Sequence, residues 1–216
     1  DLCTATATPY VCTWDTTTVP NGSYDLRAVL TDGRGATSTS AVVSGRKVDN
    51  SRLRAVDVQT ANGDGTAGHV DAGDTLTLTY GDVVAPGSIT AGWTGTALPV
   101  TVRLRDGNLL GGTSKTDAID VLRNGAAVQL GSVGLREDYV KGRKTAQLNA
   151  TMTATTVTVD GVDRTVVTIT LGTLASGGGL RTVTTPSTML WTPSTAAKSP
   201  SGGACAATPA TESGAA

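Results

Sequence analysis

Apolar and polar residues alternate with a period of two along much of this chain, which is the pattern of a half-buried β-strand. Ser23 to Thr31 alternates, with Tyr24, Leu26, Ala28 and Leu30 on one face. Asp32-Gly33-Arg34-Gly35 reads as a turn and Ala36 to Val48 as the returning strand of a hairpin. Upstream, Tyr10, Cys12 and Trp14 share a side, and Val19-Pro20-Asn21-Gly22 signals another turn. Asp49-Asn50-Ser51 reads as a boundary. Beyond it Leu53 to Thr60 is extended, Thr75 to Tyr80 alternates with Leu76, Leu78 and Tyr80 inward, and Val100 to Leu104 repeats the pattern. Ala118 to Leu122 and Val128 to Leu130 are shorter candidate strands. Met152 to Val159 and Val166 to Leu171 flank Asp160-Gly161-Val162-Asp163, a hairpin signal. Thr182 to Trp191 is a further candidate strand. No segment holds a helical period over three turns. Many short strands with regular turn signals predict an all-β chain built of sandwich modules.

Composition agrees with this. Of 216 residues, 39 are Thr, whose branched Cβ favours extended backbone, and 27 are Gly, which supply turns. Residues 194–216, rich in Ser, Pro, Gly and Ala, read as loop or tail. The formal net charge of -1 offers no clustered basic face for nucleic acid, and no apolar run approaches the length of a membrane span. The chain opens Asp1-Leu2-Cys3, without Met, a basic start or an apolar stretch. The expectation is a processed or fragment end, with any export signal lying upstream.

Three spaced motifs carry a family resemblance. They are Pro9-Tyr10-Val11-Cys12-Thr13-Trp14-Asp15-Thr16, then Asn21-Gly22-Ser23-Tyr24-Asp25-Leu26-Arg27-Ala28 with Thr31-Asp32, and the closing Val48-Asp49-Asn50. Together they resemble the bacterial immunoglobulin-like (Ig-like) domains repeated in large actinobacterial surface proteins. Gly33-Arg34-Gly35-Ala36 departs from that family's usual Ala-Gly-Asn turn. The stretch Ala72-Gly73-Asp74-Thr75-Leu76, with Ser88 to Gly95 and Met189 to Pro193, resembles the C-terminal module that follows such repeats. The resemblance implies residues 1–50 as the C-terminal part of one Ig-like domain, 51–193 as a second β-sandwich module, and an extracellular or cell-surface setting. The first module then lacks its opening strands, either because the chain is a fragment or because a neighbouring subunit donates a strand.

Candidate chemistry is sparse. Cys3 and Cys12 flank a Thr-rich segment and read as a local disulfide, with two buried thiols as the alternative. Cys205 is left over. Asn62, Asp64, Asp71 and Asp74 place hard oxygens on a Gly-rich loop that could hold calcium, although Thr60 stands where a first Asp is wanted and no closing Glu follows. The competing reading is a tight turn with Asp capping backbone N–H groups. His69 is the only histidine, and no Gly-x-Ser-x-Gly motif accompanies it. Glu137-Asp138 lies near Lys141, Arg143 and Lys144, as in a solvated charge-balanced loop. Trp93, between glycines, is the tryptophan expected at the surface and a candidate carbohydrate contact, whereas Trp14 is expected to pack near the disulfide. Asn21-Gly22-Ser23 and Asn149-Ala150-Thr151 match the glycosylation sequon and are read as unoccupied. No catalytic set assembles from these residues. The expectation is a non-enzymatic structural or adhesive module without a resident cofactor, whose partners are neighbouring Ig-like modules and cell-surface or polysaccharide ligands. The alternative is a carbohydrate-binding accessory module of an extracellular enzyme.

Overall fold

The computed structural model describes residues 2–20, 22–48, 50 and 53–213, with Lys47 as backbone only. Asn21 of the first sequon, and Asp49 and Ser51 of the expected boundary, lie outside the described residues. The chain divides into two units, Asp1–Ser51 and Arg52–Ala216. Both are built of strands, as the alternation predicts.

The first unit contains β1 (Gly22–Leu26), β2 (Val29–Thr31), β3 (Thr37–Thr39) and β4 (Val43–Val48). They form two separate antiparallel pairs, β1 with β4 and β2 with β3. The predicted long hairpin is interrupted near Arg27–Ala28 and again at Ser40–Val42. Its turn stands where expected, because Asp32 accepts the backbone N–H groups of Arg34 and Ala36 on its Oδ1. A 3-10 turn over Thr16–Thr18 is capped by Asp15, whose side chain accepts from the Thr17 N–H. The Asn50 amide donates to the carbonyls of Thr16 and Val19 and so ties that turn to the residues after β4. Trp14 meets Tyr24 edge-on, with ring centroids 5.4 Å apart. Among the described residues of this unit only Val48 is buried. Val29, Leu30, Val42 and Val43 are all exposed. Two-stranded pairs with no second layer bury too little to make a core.

The second unit is one ten-stranded sheet. Its strands are β5 (Ala55–Ala61), β6 (Thr75–Tyr80), β7 (Leu98–Arg105), β8 (Ala118–Arg123), β9 (Ala126–Ala127), β10 (Ser132–Gly134), β11 (Thr145–Val159), β12 (Val162–Gly177), β13 (Leu190–Thr192) and β14 (Ala210–Thr211). They run in the order β14-β13-β10-β8-β7-β11-β12-β6-β5, with β9 paired to β8. The sheet curls until its two ends meet. Ala206 N–H donates to the Leu53 carbonyl at 2.7 Å, and Ser213 N–H donates to Asp57 Oδ1 at 2.9 Å. The result is a near-barrel.

Inward residues fill it at every second position. Leu76, Leu78 and Tyr80 of β6 and Val100, Val102 and Leu104 of β7 are all buried in the same core. At the centre, Trp191 is 0% exposed and meets Tyr80 edge-to-face at 4.8 Å. Its indole N–H donates to the Leu130 carbonyl. The Tyr80 hydroxyl is buried without a hydrogen-bond partner, and desolvation, reinforced by Cys205 nearby, drives its pKa far up.

Residues 194–213, expected as loop or tail, are irregular apart from β14, and Ala197, Cys205 and Ala210 among them are buried. Their small side chains suit close packing there. Two expectations are corrected. Trp93 is not a surface aromatic. It is 4% exposed and its Nε1 donates to the Thr96 carbonyl. A short helix, α1 (Pro86–Ile89), precedes it, and left-handed Gly92 (φ 76°) and Gly95 (φ 96°) turn the chain so that the ring lies inside. Val128–Leu130 is not a strand, since Gln129 N–H donates instead to the Ile89 carbonyl at the end of α1.

Candidate functional site: a cleft beside His69 and Asp71

The loop from Asn62 to Asp74 joins β5 to β6, and carboxylates hold its shape. Asp74 accepts the Gly63 N–H on Oδ1 at 2.9 Å and the Asp71 N–H on Oδ2 at 2.8 Å. Asp71 accepts the Thr66 N–H on Oδ2 at 3.0 Å, and His69 Nδ1 lies 2.9 Å from its Oδ1. The Asn62 amide donates to the carbonyls of Gly63 and Gly65. The glycines are required by close approach. A Cβ on Gly63 would lie 2.7 Å from the Gly73 backbone, and one on Gly68 would lie 2.0 Å from the Val183 carbonyl oxygen. Val183 N–H in turn donates to the Gly68 carbonyl, and Gly73 N–H donates to the Leu171 carbonyl, so the loop is stitched to β12 and to the segment beyond it.

The arrangement bears on the calcium candidates. Every oxygen of Asp71 and Asp74 already has a hydrogen-bond partner, Asp64 is exposed and Asn62 faces carbonyls. Both carboxylates are thus engaged in capping backbone N–H groups of the loop. Among the described residues no group of three or more His, Cys, Asp or Glu is placed to hold a metal ion. The Thr66 N–H, with His69 as a further contributor, holds the Asp71 pKa below the usual carboxylate value.

One side of this loop borders a cleft of about 440 Å³. Val70, Leu148, Leu174 and Leu180 make its walls apolar, Gly172, Gly178 and Gly179 keep it open, and His69 and Asp71 form one polar corner. Leu174 is 49% exposed at this cleft. His69 Nδ1 and Asp71 Oδ1, 2.9 Å apart, are paired with each other at that corner, so most of the cleft wall is apolar.

Other acids hold loops rather than form a cleft. Glu137 pairs with Lys115 and Asp138 with Arg181, each at 3.0 Å, so neither finds its partner among Lys141, Arg143 and Lys144. Sequence reasoning passed over Asp106 and Asp117, which are buried at 1% and 0% exposure. Asp117 accepts the Gly107 N–H on Oδ1 at 2.8 Å and the Val140 N–H on Oδ2 at 2.7 Å. Asp106 accepts the N–H groups of Asn108 and Arg143. The Asn108 N–H leads in drawing the Asp106 pKa down, whereas burial pushes that of Asp117 up against its own N–H donors. Single acids scattered through turns carry no motif; only the Asp-Gly and Asp-x-Asn spacing at 106–108 hinted at a cap.

In the first unit Cys3 and Cys12 form the expected disulfide, with Cα atoms 6.2 Å apart. Cys205, by contrast, is a buried cysteine of the second unit. No helix among the described residues is long and apolar enough to cross a membrane. Compared with family models, curated proteins and solved structures, the chain matches none, and the reading of its site rests on its own geometry.

Proposed function

We propose that this chain is a non-enzymatic structural or adhesive module of a secreted or cell-surface protein, made of β units in series. The observation that carries the proposal is the use of acidic side chains. Asp71, Asp74, Asp106 and Asp117 each accept backbone N–H groups that pin loops to the sheet. That is the chemistry of a stiff frame. The Cys3–Cys12 disulfide supports an oxidising compartment, and with it the extracellular setting implied by the bacterial Ig-like resemblance. On this reading neighbouring modules of the same chain are the first partners. The carbohydrate-binding alternative loses the ring on which it rested, since Trp93 is buried.

The test is thermal unfolding of Cys12→Ser beside the parent chain, with and without reductant. In a spacer of independent units the second unit should melt unchanged, and only the first unit, held by its disulfide rather than by a core, should weaken, by about 2 to 3 kcal/mol in the chain-entropy treatment of a short loop. Equal destabilisation of both units would refute independent modules in series.

A further inference from the structure

The strands β11 and β12 are far longer than their neighbours. β7 covers β11 only as far as Met152, opposite Leu98, and β6 covers β12 only from Val166, opposite Thr79. Beyond those points, Val157–Val159 and Val162–Arg164 find ladder partners only in each other. They form a two-stranded arm closed by Asp160-Gly161, both in the left-handed region at φ 52° and 77°, as a tight two-residue hairpin turn requires. Val159 stands opposite Val162, and Val157 lies two residues back on the same face. All three are exposed. An arm with two open edges and an apolar stripe is a template for pairing with another chain, and natural edges are usually blunted against this.

The cleft beside His69 lies at the other end of the same two strands. Leu148 of β11 lines it, and Val159 is eleven residues further on, about 36 Å along an extended strand. The two ends complement each other in chemistry. The tip offers valines flanked by Asp160 and Asp163. The cleft offers Leu148, Leu174 and Leu180, with Lys144 beside Gly179 at its margin and exposed Lys141 next to it. Among the described residues neither lysine has a carboxylate partner.

We propose that the arm of one copy of this chain docks in the cleft of the next, so that copies associate head to tail. Tip and cleft are different surfaces of one molecule, so the contact is heterologous and each bound copy leaves a free tip and a free cleft. The valine stripe covers the leucines of the cleft, and the acidic tip lies against the Lys141/Lys144 margin. The proposal supplies a partner for the structural reading but stands on its own residues; its failure would leave the spacer reading to the unfolding test above.

Sedimentation velocity over a range of concentrations tests it, with two variants on exposed positions, Val159→Asp at the tip and Leu174→Asp in the cleft. The parent chain should form a ladder of oligomers that grows with concentration and weakens with salt. Each variant alone should be monomeric, with unchanged circular dichroism and melting. An equal mixture of the two should form a dimer that grows no further, because one intact tip meets one intact cleft. Asp160→Asn, which suits the turn while removing the charge, should weaken association several-fold, as should Lys144→Gln. A parent chain that stays monomeric throughout overturns the proposal. So does association of either variant at the parent's strength, or a mixture that stays monomeric.

Discussion

Asp117→Ala is expected to destabilise the second unit more than any surface change of similar size. The carboxylate is fully buried and joins the turn at Gly107 to the segment at Val140, accepting one backbone N–H on each oxygen. Truncation would leave both donors without an acceptor. Each orphaned buried donor costs about 1 to 3 kcal/mol, so the pair should cost roughly 4 kcal/mol. The main-chain bond from Leu135 N–H to the Asp117 carbonyl survives the substitution and keeps β8 in register. Urea unfolding should show a lower midpoint at an unchanged slope, and the melting temperature should fall by about 8 to 16 °C for a unit of this size. Asp117→Asn keeps one acceptor and should lose less. A cost below about 1 kcal/mol for Asp117→Ala would refute the claim that this carboxylate fastens the two loops.

Two further outcomes follow from the same bonds. The Asp71 pKa is lowered in the folded chain, so its stabilisation is present above the usual carboxylate value near 4 and is lost as pH falls through the folded value. Protection of the Thr66 amide against hydrogen exchange, corrected for intrinsic rate, should therefore decline below about pH 4 and lose that dependence in Asp71→Asn. Unchanged protection down to pH 2 would contradict it. Tyr80→Phe removes a buried hydroxyl that has no hydrogen-bond partner and should be neutral or stabilising, by up to about 1 kcal/mol in urea unfolding. A loss of more than 1 kcal/mol would show that the hydroxyl is satisfied.

The alternation of Thr75–Tyr80 and Val100–Leu104 was legible because each strand has one wet and one dry face, and the dry positions are those the sequence pattern marks. The β11–β12 turn was legible from Asp160-Gly161, a pair whose preference is local. β11 begins earlier than expected, at Thr145, and β12 runs further at both ends, because Thr serves in an exposed strand as well as in a loop. Trp93 misled for a tertiary reason. Flanking glycines were read as exposure, whereas their positive φ angles direct the ring into the core. Residues 194–213 were legible as irregular chain but not as buried chain, because Ala and Cys are as suited to close packing as to a loop. The cleft was out of reach altogether. It joins residues near 70, 148, 174 and 180, which the pairing of β11, β12 and β6 brings together, away from the seam where the sheet closes.

That closure also sets the order in which the second unit can be completed. The residues that meet across the seam, Asp57 and Ser213, are 156 positions apart. Strand β5 is among the first parts of the unit to leave a ribosome, and the segment that covers it is the last. During synthesis the inner face near Val58 therefore waits, unsealed, for nearly the whole unit to emerge. Sequence-local hairpins such as β11 with β12 can pair early, whereas the seam between β5 and the last segment can close only at the end. A chain cut anywhere before Cys205 would be left with an open seam, and quality-control proteases would meet it as an unfinished protein rather than a shorter one.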